Sequence, residues 1–191
     1  PPLHFYLCNI LDLGGAAWDL CTRSFLQNTL SEFAEKTGCQ VTAAFEHEFV
    51  ILKDTAIRKP GFSYQAGRLG EPFATLFMTA LEQAGQEPEM FLPEFGENQF
   101  EFTCKPVPAL RAADRSVITR EIAYDTARQL DQTISFSPRT STEGVGNGVH
   151  VHISLQDKHG RNVLYDENEE NGLSRMGGHF AAGIIEYLPA I

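Results

Sequence analysis

The segment GVGNGVHVHISL, residues 144–155, constrains the fold of this chain more than any other. After its glycines, polar and apolar residues alternate, which is the period of a β-strand with two unlike faces. One face would carry His150, His152 and Ser154. The apolar residues between them are expected to enter a core: Val149, Val151, Ile153 and Leu155. A single histidine on a strand is usually structural, whereas two in register behind a glycine-rich approach favour a binding surface.

The rest of the chain alternates strand-like and helix-like segments, which indicates an α+β fold. Strands are predicted over residues 4–9, 41–52, 89–94, 99–104, 133–136 and 148–155. Helices are predicted over residues 22–36, 71–84, 109–131 and 173–188, a surface loop over 58–68 and a hairpin-like connection over 156–164. Because no repeat, low-complexity tract or linker separates these segments, we expect one α+β unit.

The balance of charges argues against nucleic acid and membranes as partners. The sequence has 25 acidic residues against 15 basic ones, a formal charge of −10, and such a chain repels nucleic-acid phosphates and anionic membrane surfaces. No apolar stretch approaches the roughly 20 residues that cross a bilayer. The four cysteines show neither CxxC spacing nor a zinc-like cluster, so we expect reduced thiols in a cytoplasmic protein.

Acidic residues with informative spacing occur in two other segments. Glu46 and Glu48 are two residues apart on a predicted strand, so both carboxylates project from one face, roughly 6.5–7 Å apart. An exposed strand would explain this pair without any ligand. In residues 94–101, Gly96 permits a tight turn that would bring Glu94 and Glu101 toward one region. A polar turn leading into an amphipathic strand explains this second segment equally well.

Taken together, the acids and histidines are the ligand types of an oxygen-rich Mg²⁺ or Mn²⁺ site, in which one imidazole supplements carboxylates. Ions at such a site would neutralise the phosphates of ATP. This chemistry is what a ligase needs when it activates a carboxylate by phosphorylation, because the charge on the transferring phosphoryl group must be offset.

The same segments resemble motifs of the glutamine synthetases and their amine-ligating relatives. EHEF at 46–49 is similar to the family's E-x-E-F strand, and EFGENQFE at 94–101 is similar to its E-x-G-P-x-Q-x-E segment. GNGVHVHISL at 146–155 is similar to its G-x-G-M-H-x-H-x-S-L strand. The order and spacing agree, and looser likenesses at 134–139 (ISFSPR) and 180–185 (FAAGII) extend the resemblance from about residue 41 to the end.

The resemblance implies a role for each matching position, and it implies an α+β catalytic domain with a curved antiparallel sheet backed by helices. One divalent ion would be held by Glu48, Glu94 and Glu101. A second ion would be held by Glu46 and His150. Gly146 would lie against the amino acid substrate, and His150 would also help to fix the carboxylate of that substrate. The residues implied to face the nucleotide are Glu89, His152 and Ser154. The resemblance assigns no catalytic acid, base or nucleophile.

The implied activity is ATP-dependent ligation of glutamate to ammonia through an acyl phosphate, in nitrogen metabolism, with Mg²⁺ or Mn²⁺. A γ-glutamyl-polyamine or other γ-glutamyl-amide synthetase is the alternative, because several residues depart from the family motifs: Glu97, Asn98, Ser137, Arg139 and Val149. A non-catalytic structural homologue is an alternative of another class. The implied assembly is a homo-oligomeric ring.

Several parts of the family pattern have no match in this sequence. They are its small N-terminal β-domain, its remaining metal-binding glutamate, and its phosphate- and substrate-binding arginines. We therefore expect residues 1–191 to form the N-terminal portion of the catalytic domain and to be inactive alone.

Overall fold

The computed structural model describes residues 4, 6–52 and 61–190. Its helices are α1 (Thr22–Thr37), α2 (Tyr64–Leu69), α3 (Phe73–Gln83), α4 (Ala109–Gln129) and α5 (Arg175–Tyr187). Its strands are β1 (Gln40–Leu52), β2 (Pro88–Pro93), β3 (Gln99–Cys104), β4 (Val107–Pro108), β5 (Thr133–Ser135) and β6 (Val149–Gln156). The predicted α+β class is confirmed, and all four predicted helices are present with boundary shifts of a few residues.

The described residues form two compact units, whereas the sequence led us to expect one. The first unit lies within Pro1–Ala43, Pro108–Leu110 and Ile153–Ile191, and the second lies within Ala44–Val107 and Arg111–His152. Each unit is assembled from separate stretches of chain. A division of this kind leaves no linker in the sequence, which is why composition alone does not reveal it.

The second unit is organised around β1. This strand pairs antiparallel with β3 on one side, where Glu48 lies opposite Glu101, and antiparallel with β5, where Ile51 lies opposite Ile134. β2 pairs antiparallel with β3, and β6 also pairs with β1. The predicted antiparallel sheet is therefore present, and the register of β1 and β3 decides which side chains share a face.

One face of this sheet packs against helices α3 and α4. The buried cluster between them consists of Phe49, Ile51, Phe73, Phe77, Leu81, Phe100, Phe102, Cys104, Ala123, Ala127, Ile134 and Phe136. Burying a side chain as large as phenylalanine contributes about 1.5–3 kcal/mol, so this aromatic layer is the main source of stability in the unit. The opposite face of β1 and β3 is left for polar side chains.

The first unit contains α1, α5 and the end of β6. Helix α1 ends at Gly38, whose φ of 68° closes the last turn, and α5 begins at Ser174, whose hydroxyl accepts a hydrogen bond from the Gly177 N–H at 2.9 Å. A groove of about 700 Å³ lies among Phe33, Thr37, Leu155, Arg175, Met176, His179, Phe180 and Gly183. The predicted hairpin-like connection is present here, with Gln156 bridged to Asn162.

Two local predictions are wrong. Residues 4 and 6–9 form no strand; Tyr6 is exposed, and no described residue supplies this segment with a ladder partner. In the predicted loop 58–68, of which residues 58–60 lie outside the described part, Tyr64–Leu69 is helical. The Ser63 hydroxyl accepts a hydrogen bond from the Ala66 N–H at 3.1 Å, so a helix cap was overlooked in a segment rich in turn residues.

The expected burial of the apolar side of β6 is also wrong for most of its length. Leu155 is buried, but Val149, Val151 and Ile153 are exposed. The reason is that the core of the second unit forms between the sheet and helices α3 and α4, and no residue of β6 belongs to that cluster.

Two further sequence inferences can be compared with the structure. All four cysteines are free thiols: Cys8 is exposed, and Cys21, Cys39 and Cys104 are buried. Among the described residues, no helix is both long enough and apolar enough to span a bilayer.

Candidate metal centre

Strands β1 and β3 bring three carboxylates onto one face of the sheet. Glu46 and Glu48 alternate with His47 along β1, and Glu101 lies directly opposite Glu48. Residues opposite each other in an antiparallel pair share a face, so Glu101 joins the two acids of β1. Glu101 is only 7% exposed. A carboxylate at such a depth is unusual unless a positive charge or a set of hydrogen bonds accompanies it.

His47, between the two acids, points to the other face. It is buried, its Nε2 lies 2.9 Å from the Ser116 hydroxyl, and its ring stacks on Phe102. Burial, with a smaller effect of Arg120, lowers the pKa of His47 to about 4. This histidine is therefore a neutral core residue and not a ligand of the cluster.

The two histidines of β6 approach the same carboxylates. His150 Nδ1 lies 3.3 Å from Glu46 Oε2 and 3.8 Å from Glu101 Oε2, while its Nε2 lies 4.0 Å from Glu48 Oε1. His152 Nε2 lies 3.0 Å from Glu46 Oε1. The predicted common face of His150 and His152 therefore meets the predicted common face of Glu46 and Glu48.

Gly148 allows this close approach. Its carbonyl accepts a hydrogen bond from the Glu48 N–H at 3.1 Å, which attaches the start of β6 to β1. A Cβ atom on Gly148 would lie 2.9 Å from Glu48 Oε1 and 3.1 Å from His150 Nε2. Any side chain at this position would therefore occupy the space between the acid and the imidazole.

One subset of these residues has the compactness of a metal site. Glu46, Glu101 and His150 each offer a ligand atom, and the three atoms lie within 4.8 Å of one another. Carboxylates with a single imidazole and no thiolate match the preferences of Mn²⁺ and Mg²⁺. The donor set of the described residues thus fits the divalent ions expected from the sequence.

The carboxylates of the cluster repel one another in a partly buried site. Burial, followed by the charges of Glu46, Glu94 and Glu48, raises the pKa of Glu101 from 4.5 to about 7. The pKa of Glu94 is raised by burial and then by Glu48. A divalent cation among these groups would offset the repulsion, which adds to the larger effect of burial on both pKa values.

Glu94 reaches this region from the loop after β2. Its Oε2 accepts a hydrogen bond from the Phe95 N–H at 3.3 Å, and its pKa responds to Glu48, His150 and Glu46. The other four predicted metal ligands therefore all affect the pKa of Glu101, and three of them affect that of Glu94. The division of the ligands between two ions stays a prediction.

The three residues predicted to face the nucleotide are not gathered in this way. His152 pairs with Glu46, as above, and Ser154 is half-buried in the first unit. Glu89 is exposed at an irregularity in the pairing of β2 and β3, between Pro88 and Met90. The pKa of Cys104 is raised to about 11, mainly by burial, and the charge of Glu89 adds to this rise. Their nucleotide roles stay predictions.

Gln99 organises the centre, although the sequence predicted no role for it beyond its place in a motif. This side chain is 1% exposed. Its Nε2 donates to Glu48 Oε2 at 2.9 Å, to the Gly146 carbonyl at 2.8 Å and to Asn147 Oδ1 at 2.9 Å. Its Oε1 accepts from the Gly96 N–H at 2.8 Å, which fixes the orientation of the amide. One buried amide thus holds Glu48 and the glycine-rich segment together.

Asn147 and Gly146 complete this support. Asn147 Nδ2 donates to the Ser137 carbonyl at 2.8 Å, and its N–H donates to the Pro138 carbonyl at 2.9 Å. A Cβ atom on Gly146 would lie 2.8 Å from the same Pro138 oxygen, so glycine is needed there for backbone packing. The predicted contact of Gly146 with an amino acid substrate stays a prediction.

Comparisons with known proteins agree with this geometry. Residues 19–191 match the family described as glutamine synthetase, catalytic domain. The chain belongs to the glutamine synthetase family. Over 185 residues it is 30% identical to the γ-glutamylpolyamine synthetase GlnA3 of Streptomyces coelicolor, covering 93% of this chain and 40% of that protein. Over 193 residues it is 32% identical to a glutamine synthetase of Halobacterium salinarum, covering 96% of this chain and 42% of that protein.

A solved structure described as a novel glutamine synthase homolog superposes with a TM-score of 0.90 at 43% identity, covering 95% of this chain and 43% of that one. The chain thus spans roughly two-fifths of the length of these glutamine synthetase relatives. The predicted family is confirmed, and the donor set fits a divalent metal. One relative is named for a polyamine and another for glutamine, so they leave the acceptor open.

Proposed function

We propose that the full-length protein carrying this chain is an ATP-dependent carboxylate–amine ligase. It joins the γ-carboxylate of glutamate to ammonia or a small amine and forms a γ-glutamyl amide. The observation that carries the proposal is the convergence of Glu46, Glu48, Glu101 and His150 on one face of the sheet, in a chain of this family.

The reaction would proceed in two steps. The γ-phosphoryl group of ATP passes to an oxygen of the substrate carboxylate, which gives an acyl phosphate and ADP. The lone pair of the amine then attacks the acyl carbon, the bond to phosphate breaks, and a proton leaves the new amide nitrogen. Bound Mg²⁺ or Mn²⁺ would supply the positive charge that offsets the phosphoryl oxygens.

The chain's own residues would hold and orient the reactants. Following the family resemblance, Glu48, Glu94 and Glu101 hold one ion, and Glu46 and His150 hold the other. Gly146 and His150 contact the amino acid, and His152, Ser154 and Glu89 face the nucleotide. Gln99 keeps one oxygen of Glu48 engaged at 2.9 Å and leaves the other directed toward His150. Such outer hydrogen bonds fix the direction in which a ligand oxygen points.

A matched pair of variants tests the proposal in the full-length protein. With glutamate, ATP, Mn²⁺ and an amine, we expect phosphate release together with a γ-glutamyl amide detected by mass spectrometry. Glu101→Gln should abolish both signals, because it removes a buried ligand charge. Glu121→Gln, an exposed acid on α4, should leave both intact. A protein that binds neither Mn²⁺ nor ATP would instead be a non-catalytic structural homologue.

Assembly and location belong to the same proposal. The family resemblance favours a homo-oligomeric ring, which light scattering on the full-length protein would test. The cytoplasmic location favoured by the four free thiols stays a prediction, and fractionation of cells that express the protein would test it.

A further inference from the structure

Two phenylalanine side chains stand exposed beside Glu94. Phe62 is 57% exposed and Phe95 is 70% exposed. Their ring centroids are 5.0 Å apart with the ring planes nearly perpendicular, which is a favourable edge-to-face geometry. The two rings therefore form one apolar surface, here called the Phe62–Phe95 wall.

The backbone holds this wall in place. The Phe62 N–H donates to the Pro93 carbonyl at 3.2 Å. A Cβ atom on Gly61 would lie 3.1 Å from the Phe95 ring and 3.2 Å from the Glu94 carbonyl, so glycine lets the two segments touch. Phe62 itself has a φ of 57°, a left-handed conformation that a bulky residue adopts only at a cost. A strained backbone and exposed aromatic side chains at the same place are typical of a ligand-binding surface.

The wall adjoins the acidic cluster directly. Phe95 follows Glu94 in the chain, and its N–H donates to Glu94 Oε2 at 3.3 Å. The Glu94 N–H donates to the Gln99 carbonyl at 2.9 Å, and the Gln99 side chain donates to Glu48 Oε2 at 2.9 Å, so the wall is connected to the cluster by hydrogen bonds. A ligand with an ammonium end and a hydrocarbon end would meet a carboxylate and an aromatic surface side by side, and both attract it.

We propose that the Phe62–Phe95 wall is the binding surface for the carbon chain of the acceptor, and that the enzyme prefers a primary alkylamine to ammonia. This inference rests on the proposed ligase function and specifies its substrate class. Ammonia has no carbon to place on the rings. Each methylene that leaves water on the wall favours binding by about fourfold, so a short alkyl chain is enough for selection.

The experiment uses the full-length protein with glutamate, ATP and Mn²⁺. The acceptors are the series ammonium, methylamine, propylamine and butylamine, with 1,4-diaminobutane for comparison, and the readout is kcat/KM from phosphate release with the product confirmed by mass spectrometry. We expect kcat/KM to rise along this series by about fourfold per added methylene until the wall is covered.

Variants separate selection from general damage. Phe95→Ala and Phe62→Ala should each lower the butylamine-to-ammonium ratio of kcat/KM by about tenfold, which corresponds to the loss of between one and two methylene contacts. Phe25→Ala, which removes an equally exposed ring on α1, should leave that ratio unchanged. A purely structural role of the wall would lower both kcat/KM values together and leave the ratio unmoved.

Three results would overturn the inference while leaving the proposed function intact. They are a preference for ammonium over every alkylamine, an unmoved ratio in both phenylalanine variants, and a preference for 1,4-diaminobutane over butylamine, which would require a second carboxylate in place of an apolar wall. Absence of phosphate release with every acceptor, by contrast, would contradict the proposed function itself.

Discussion

The two faces of the paired strands β1 and β3 both contain buried side chains, but these side chains differ in chemistry. One face carries Phe49, Phe100 and Phe102, which pack in the aromatic cluster. The other carries Glu101 opposite Glu48, and both carboxylates add to mutual repulsion. Phe102 is 1% exposed and its neighbour Glu101 is 7% exposed. Burial alone therefore does not separate the residues of the core from those of the candidate metal centre; the chemistry of the buried group does.

The largest expected effect is on the aromatic face. Phe102→Ala should lower the free energy of unfolding by about 3–5 kcal/mol, because it removes a buried ring and leaves a cavity. The neighbouring Phe77 ring, at a centroid distance of 4.9 Å, loses its edge-to-face partner as well. Denaturant unfolding of the full-length protein would measure the change. Phe25→Ala on the surface should shift stability by no more than about 0.5 kcal/mol. Equal effects of the two variants would contradict the assignment of the core.

A substitution on the acid face should instead affect the binding of the metal. Glu101→Gln is expected to weaken Mn²⁺ binding by more than about 100-fold, since changes in outer-shell residues alone cost about 10- to 100-fold. Isothermal titration calorimetry with Mn²⁺ measures this, with Glu121→Gln as the control. An unchanged affinity in Glu101→Gln would exclude Glu101 from the metal centre.

In the metal-free protein, obtained by chelation, the same variant also tests how the carboxylate of Glu101 affects stability. The pKa of Glu101 is about 7 in the folded protein against an ordinary 4.5, so the folded state retains a proton that the unfolded state releases. Stability of the metal-free protein should therefore fall as the pH rises from 4.5 to 7. Glu101→Gln should lack this contribution. A metal-free protein that gains stability over this range through Glu101 would contradict the geometry of the cluster.

Gln99 lies on the acid face but carries no charge, and its expected effect is smaller. Gln99→Leu has a similar volume and should lower Mn²⁺ affinity by about 10- to 100-fold, because Glu48 loses the donor that orients it. Gln129→Leu is the matched control, since Gln129 also donates to a carboxylate, Asp125, but on the exposed side of α4. If Gln99→Leu lowers the unfolding temperature without changing Mn²⁺ affinity, Gln99 is only structural.

The contrast between the faces was partly readable from the sequence. Alternation along each strand was enough to pair Glu46 with Glu48 and His150 with His152, because side-chain direction has a period of two. Alternation does not give register. That Glu101 lies opposite Glu48 depends on the pairing of β1 with β3, which α2, α3 and β2 separate in the chain, and on the packing of the opposite face.

The alternation of residues along a strand also does not show which element packs against each face. The apolar row that begins at Val149 was assigned correctly to one side of β6, but the helices that would be needed to bury it pack elsewhere in the second unit. The role of Gln99 was missed for a related reason. A neutral amide carries no charge pattern, and its importance comes from three acceptors supplied by distant parts of the chain.

Substitution of Thr103 should have the smallest effect, a change in stability without a change in metal binding. It lies opposite Glu46 on the acid face, and its buried hydroxyl has no hydrogen-bond partner among the described residues. Thr103→Val keeps the shape and removes the unsatisfied group, so the free energy of unfolding should rise by up to about 1 kcal/mol. Thr126→Val, which deletes a hydroxyl that donates to the Ile122 carbonyl at 2.8 Å, should not stabilise. Mn²⁺ affinity should be unchanged in Thr103→Val. A loss of affinity would mean that the Thr103 hydroxyl contributes to the metal centre. Every polar position of the acid face would then take part in Mn²⁺ binding, and not only the carboxylates and Gln99.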